Sequence, residues 1–349
     1  MGQPELENQT AFACEPLFLS DEENRALLVP VIKATYDITA VGLSLAETQV
    51  PVNLAGEMYG DRTKTSYRYE PECAFIKLAT DAVLVGTAVA PRSGTREMLV
   101  AFQVGPLKKG VRVLGDRVFV RTVTGVGMTR PVSFERVPLR WERAFGGWDR
   151  SAADATRHTC ELRNPVGVGY HGSGAPFEEG LPCPNLEDPV RPFKGWGDRA
   201  TPVGFGFVSP HWQPRTAHAG TYDEAWQKTR SPLLAGDFDR RFFNAAPSDL
   251  VATGYLRGDE AVVASGVTAA GGVSFHLPGV SPPAVLVEQV GQQDAWLATV
   301  LDTVIVDADE QKVFLLWRGL LRIREATAVR SIRICADGAA SSKREVSNG

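Results

Sequence analysis

Val31-Ile32-Lys33-Ala34-Thr35-Tyr36-Asp37-Ile38 alternates apolar Ile32, Ala34, Tyr36 and Ile38 with polar Lys33, Thr35 and Asp37. Successive side chains of a strand point to opposite faces, so a period of two with polar residues at every second position predicts a half-buried β-strand. Downstream, apolar β-branched runs recur at 83–89, 98–104, 111–114 and 118–123, broken by Gly105-Pro106 and Gly115-Asp116. This spacing predicts an antiparallel meander, and Gly-Asp between two such runs reads as a two-residue hairpin, because glycine takes the positive φ the turn demands. The same periodicity returns after Asp249, at 261–267, 273–277, 284–290, 296–306 and 312–323, with Asp307-Ala308-Asp309-Glu310-Gln311 as the turn of the last pair. The fold class expected is mainly β: two antiparallel β-rich lobes, sandwich- or barrel-like.

Between these strand-rich stretches the character changes. From Trp141 to Pro232 ten prolines break any long ladder, yet five of the seven tryptophans lie here: Trp141, Trp148, Trp196, Trp212 and Trp226. Large rings need apolar cover, so this is an ordered Pro/Gly/Trp-rich loop segment packed on the lobes and not a solvated linker. It has room for one or two short helices. One is predicted where Thr221 would cap, Glu224 stands three residues on as in a capping box, and Ser231-Pro232 ends the segment. The expected organisation is a flexible 1–20, an N-terminal lobe 21–140, a central segment 141–235, a C-terminal lobe 236–335 and a small, polar, disordered tail 336–349.

Composition excludes several classes of function. Hydrophobic residues at 44% with 22% charged residues of both signs suit a folded globular chain. A formal net charge of -4 with scattered Lys and Arg lacks the field that drives phosphate-backbone binding, so no nucleic-acid partner is expected. Five widely spaced cysteines, odd in number and without a CxxC pair, suit a reducing compartment. The acidic start Met1-Gly2-Gln3-Pro4-Glu5-Leu6-Glu7 is unlike a secretory signal, and no apolar run approaches the roughly 20 residues of a membrane helix. A cytoplasmic protein with no membrane partner is expected.

No chemistry-bearing pattern stands out. Gly167-Val168-Gly169-Tyr170-His171-Gly172 has the letters of a dinucleotide loop, but Gly174, Pro176 and more loop residues follow where a helix should begin. It reads as a glycine turn. His158, Cys160, His171 and Cys183 are too irregularly spaced for a structural zinc site. Asp237 with Asp239, or Glu178 with Glu179, are sequence neighbours and not the separated pair a glycosidase uses. Asp302, Asp307 and Asp309 lack the glycine and terminal glutamate of a calcium loop. No Walker A or GxSxG run occurs. Neither a cofactor, a metal nor a catalytic residue is expected, and the tryptophans are left as core residues or partner anchors.

Several runs, taken in order, resemble one family. They are Lys33-Ala34-Thr35-Tyr36-Asp37, Lys77-Leu78-Ala79-Thr80-Asp81, Gly115-Asp116-Arg117, Pro138-Leu139-Arg140-Trp141-Glu142-Arg143-Ala144-Phe145-Gly146-Gly147, and Asn164-Pro165-Val166-Gly167-Val168-Gly169. They continue through Leu181-Pro182-Cys183-Pro184-Asn185-Leu186-Glu187, Gly220-Thr221-Tyr222-Asp223, Asp237-Phe238-Asp239, Phe242-Phe243-Asn244-Ala245-Ala246-Pro247 and Trp317-Arg318. The chain resembles the domain of unknown function 2169 family over about 30–320, departing at Ala34, Ala79 and Val168. The resemblance implies a bacterial type VI secretion adaptor or chaperone. Such a protein would bind an effector toxin with a PAAR-repeat tip domain and promote its loading onto the secretion spike, with the spike protein as a second partner. It implies no catalytic residue.

Two binding modes are open to such an adaptor: adding a cargo strand to a sheet edge, or anchoring cargo on exposed aromatic residues, for which Trp148 and Trp212 are the candidates. The competing readings are a carbohydrate-active enzyme or glycan-binding protein, and a structural component of the injected spike.

Overall fold

The computed structural model describes residues 4–336. The tail expected to be disordered therefore lies, from 337 onward, outside the described residues. Strand Ala26–Thr39 organises the largest sheet, because both of its edges are paired along nearly their whole length. On one edge lie Ala13–Ser20 and then Gly42–Leu45; on the other lie Lys312–Arg318 and then Leu321–Arg322. Beyond Lys312–Arg318 come its hairpin partner Val300–Asp307 and, parallel to that, Asp81–Val85. Gln311, at φ 54°, turns that hairpin.

A second sheet of five strands runs in the order Leu186–Glu187, Leu107–Leu114, Glu97–Val104, Ala261–Ser265, Gly272–His276. One face of it, with Val100, Phe102, Val104, Val111, Val113 and Val262, is buried in the main core. A third sheet joins Glu5–Asn8, Val329–Cys335, Ala284–Gln289 and Ala295–Ala298. The central segment fills the interior between them. The Phe205 ring meets Phe102 edge-on at 6.3 Å, while its carbonyl accepts from the Leu84 N–H. Among the described residues, helix is confined to Glu224–Thr229 and short 3-10 turns.

The mainly β class and the ordered, loop-rich central segment are as expected, but several details differ. The sheets are open, so the barrel variant falls away. They also cross the expected lobe boundaries: the largest takes strands from 13–85 and 300–322, and the second takes strands from all three expected regions. Within the segment 1–20 expected to be flexible, Glu5–Asn8 and Ala13–Ser20 are strands, while residues 1–3 lie outside the described residues. The first was missed because its side chains are all exposed and its order comes from backbone pairing with Val329–Cys335.

The meander also breaks. Asp81–Val85 joins the first sheet in parallel, and at Gly86 the chain leaves it for a separate pairing of Thr87–Val89 with Arg136–Pro138. Gly115-Asp116 turns no hairpin. A Cβ at Gly115 would stand 1.8 Å from the Val132 carbonyl oxygen, so glycine is needed there for close approach, and Phe119–Thr122 pairs instead with Gly125–Met128. In the short helix the cap is Asp223, which accepts from the Trp226 N–H at 2.8 Å; Thr221 bonds to Asp237.

The largest departure concerns the first strand. It is buried on both faces, and Lys33 is only 4% exposed. Its ammonium meets the Glu72 carboxylate at 2.7 Å, and Thr35 bonds to Gln49 and the Val50 N–H. Lys33 belongs to a buried polar layer. Lys77 pairs with Asp81 at 2.7 Å and reaches Thr303 Oγ1; Asp81 also accepts from Asn244 and the Ala245 N–H. Arg318 pairs with Asp302 at 2.5 Å and donates to the carbonyls of Glu72 and Ala74, and Arg215 pairs with Glu70.

Breaking a buried pair from one side leaves an uncompensated charge, whereas replacing both members by apolar groups is often tolerated. Arg318→Met is therefore expected to cost about 3–5 kcal/mol in urea unfolding. Arg318→Met combined with Asp302→Leu should cost less; a double variant as unstable as the single one would show that the stranded charge is not the source of the loss.

Candidate functional site

The chain from Ala144 to Gly172 folds into a frame of very short strands. Phe145–Gly146 pairs in parallel with Val168–Gly169, and Trp148–Asp149 pairs antiparallel with Thr159–Cys160. Two-residue pairings are weak alone, and Asn164 holds them together. Wholly buried, it donates through Nδ2 to the carbonyls of Trp141 and Phe145, and its own backbone carbonyl accepts from the Gly147 and Gly167 N–H groups. Gly146 and Gly147 pass it at φ 153° and 102°; a Cβ on Gly146 would lie 2.1 Å from the Asn164 carbonyl oxygen. The glycines let the chain make this close approach.

Below the frame is a satellite core of Phe119, Phe145, Cys183 and Phe193. It is tied to the five-stranded sheet by the buried Arg117–Glu187 pair and by Asn185, which donates to the Leu114 carbonyl at 3.0 Å and to Asp116 at 2.9 Å. Burial pushes the Cys183 thiol up to about 12, so it stays protonated and inert.

Above the frame opens a cleft of about 590 Å³. Trp148, 48% exposed, lines it together with Tyr170, His171 and Phe177, and the Gly146-Gly147 and Gly167-Val168-Gly169 backbones contribute its floor. Asp149 fastens the wall to the turn beside it, accepting from the N–H groups of Ser151 at 2.9 Å and Gly172 at 2.7 Å. Burial works to raise the pKa of that carboxyl, but these N–H groups and the nearby His171 outweigh it and hold the group below the usual carboxylate range.

The His171 ring stacks on Trp196 with centroids 3.6 Å apart and meets Phe119 edge-on. Its Nε2 is buried and has no hydrogen-bond partner among the described residues. Burial draws its pKa down, against the pull of Asp149, and so favours the neutral imidazole. Guanidinium groups lie over the lining rings: Arg150 over Trp148 at 5.3 Å, Arg121 over Phe177 at 5.2 Å and Arg199 over Tyr170 at 5.1 Å.

The two tryptophans proposed as anchors part company here. Trp148 lines the cleft, whereas Trp212 is 6% exposed and packs edge-on against Trp141 at 6.0 Å, a core residue of the folded chain. Sequence could not separate them, since both lie in loops beside glycine, proline or polar residues. The 167–172 run was undervalued as a mere turn. It does not lead into a helix, but it shapes the cleft floor, and the signal was that Asn164–Gly169 stands in the same set of motif runs as Pro138–Gly147.

Two of the other residues weighed for chemistry, Asp237 and Asp239, are occupied structurally. Asp237 bonds to Thr221, and the Arg241 guanidinium holds Asp239 down to about 2. Among the described residues no three His, Cys, Asp or Glu side chains converge on a point that could hold a metal. Among the described residues no helix is long and apolar enough to cross a membrane.

A family described as an uncharacterized protein conserved in bacteria, DUF2169, matches residues 23–318, and the chain belongs to it. No curated protein and no solved structure matches the chain.

Two measurements test this assignment of roles. Trp212→Ala should destabilise the protein by about 3–5 kcal/mol, as core aromatic truncations do, and Trp148→Ala by within about 0.5 kcal/mol, as at exposed sites; equal losses would make both core residues. His171 should titrate below the ordinary 6.5 when its ring proton is followed by NMR. Because the unfolded chain then binds more protons as pH falls through 6.5, His171 lowers stability from there downward until its folded pKa is reached, and His171→Asn should flatten that part of the pH–stability curve.

Proposed function

We propose that this DUF2169 chain is a protein-binding adaptor that holds an effector toxin with a PAAR-repeat tip and promotes its loading onto the type VI secretion spike. Its mechanism is stoichiometric binding. The observation that carries the binding part is Trp148: a half-exposed aromatic ring in an open cleft whose walls are fixed by buried side-chain and backbone hydrogen bonds. Large aromatics in preformed recesses are the usual hot spots of protein interfaces. The secretion context is supported by the resemblance of the motif runs, and those runs build the frame on which Trp148 stands.

The same site speaks for binding over turnover. Asp149 has both oxygens committed to backbone N–H groups, and the described bonds join His171 to no nucleophile. An adaptor of this kind would act in the bacterial cytoplasm before firing and remain there. A glycan-binding reading is favoured by one observation, the exposed Trp148 ring in a cleft whose lining also holds Glu178, and a glycan panel separates it from the adaptor reading.

The test is co-purification with the PAAR-bearing toxin encoded nearest to this protein, with unrelated PAAR toxins as controls. A selective complex is expected. Trp148→Ala should weaken it by about 2 kcal/mol or more, close to thirtyfold in Kd. Absence of a complex at micromolar concentration with both partners folded would overturn the adaptor reading; a complex indifferent to Trp148→Ala would move the contact surface elsewhere.

A further inference from the structure

We infer that a small cavity inside the buried charge layer is a binding site for one water molecule, held as a resident part of the structure. This stands apart from the adaptor reading and concerns how the interior of the fold is completed.

The cavity lies between residues 70–77 and the strands Val300–Asp307 and Lys312–Arg318, and it measures about 10 Å³. That is the room of about one water molecule and too little for an organic group. Its lining gathers one member from each of four buried ion pairs: Glu70, paired with Arg215; Glu72, paired with Lys33; Lys77, paired with Asp81; and Arg318, paired with Asp302. None of these four lining side chains is more than 11% exposed.

The charges on the lining balance. Two carboxylates and two cations surround one space, so an ion placed there gains no net attraction from them. The balance selects a neutral occupant, and the size selects a small one.

Each of the four groups keeps hydrogen-bonding capacity beyond its ion pair. An ammonium carries three donors, and Lys77 spends two of them, on Asp81 and Thr303. Arg318 spends Nε on Asp302 and Nη1 on the carbonyls of Glu72 and Ala74, while its Nη2 has no partner among the described residues. Glu70 accepts from Arg215 through Oε1, and its Oε2 has no partner among the described residues. Glu72 accepts one bond at each oxygen, from Lys33 and from the Asn53 N–H, where a carboxylate offers about four lone pairs.

Two donors and two acceptors are the complement of a water molecule, which accepts two hydrogen bonds and donates two. Leaving such groups buried and unsatisfied is costly, and a water with two to four polar neighbours is the usual remedy. The remaining lining includes Phe207, Ile305 and Leu316, whose side chains offer no hydrogen bonds and so confine the water to the charged side. Held there, it joins the four pairs into one hydrogen-bonded network.

The experiment is high-resolution diffraction from crystals of the intact protein, with a second set soaked in rubidium bromide, whose anomalous scattering marks a bound cation or anion. The expected result is a single light-atom peak near full occupancy, within about 2.7–3.2 Å of polar atoms of at least three of the four charged groups, and no anomalous signal at that point. A cavity without a peak, side chains closed over the space, a peak within reach of fewer than three of the four groups, or a rubidium or bromide signal there would each overturn the inference.

Discussion

Lys33 sends its ammonium into the protein, and a charge placed there has to be answered by the chain that packs over it. Glu72 answers it at 2.7 Å, and in doing so also accepts from the Asn53 N–H, which fixes the path of the irregular segment 47–77 across the sheet. From that point the layer spreads. Arg318, on the neighbouring strand, grips the carbonyls of Glu72 and Ala74 and meets Asp302. Asp81, at the far strand, gathers Lys77, Asn244 and the Ala245 N–H. Pairs of this kind contribute little net stability compared with apolar packing, but each member strongly penalises any arrangement that strands its partner. Their effect here is selective: they admit one path for the loops over the sheet.

That layer also explains which parts of the fold were legible. Strand periodicity located residues 31–38 of strand 26–39, residues 98–104 and 111–114 of the Glu97–Val104 and Leu107–Leu114 hairpin, and strands between 261 and 318, because it reports backbone geometry directly. The inference that polar positions face water failed at Lys33 and Thr35, because periodicity cannot distinguish a solvated face from a face buried under polar partners distant in sequence, Glu72 for Lys33 and Gln49 for Thr35. Sheet membership was illegible for a related reason. Asp81–Val85 pairs in parallel with Val300–Asp307, over two hundred residues distant, and no local pattern encodes such a partner. Glu5–Asn8 has no apolar periodicity at all and is a strand through its backbone alone.

The motif runs divide into two physical groups. Lys33, Lys77, Asp81, Asn244 and Arg318 belong to the buried charge layer of the large sheet. Asp116, Arg117, Asn164, Asn185 and Glu187 brace the satellite core and the glycine frame above it. The cleft stands on the second group, so its walls are set by residues that never touch an occupant. Candidate anchors were visible in the sequence only as a surplus of tryptophan. The choice between Trp148 and Trp212 depended on which ring the frame exposes, and that is a property of the tertiary arrangement: Trp212 is enclosed beside Trp141, and Trp148, in a two-residue pairing, is left half-exposed on the cleft lining.

The central claim is that partners are bound at this cleft, and amide hydrogen exchange tests it most directly. Exchange would be followed in the chain alone and in the presence of the PAAR-bearing toxin encoded nearest to it. The account predicts slowed exchange concentrated at 145–151 and 167–182, around Trp148 and the glycine floor. Protection that leaves both stretches unchanged, and falls instead on the open face of the five-stranded sheet or on the Ala284–Gln289 and Ala295–Ala298 hairpin, would contradict it.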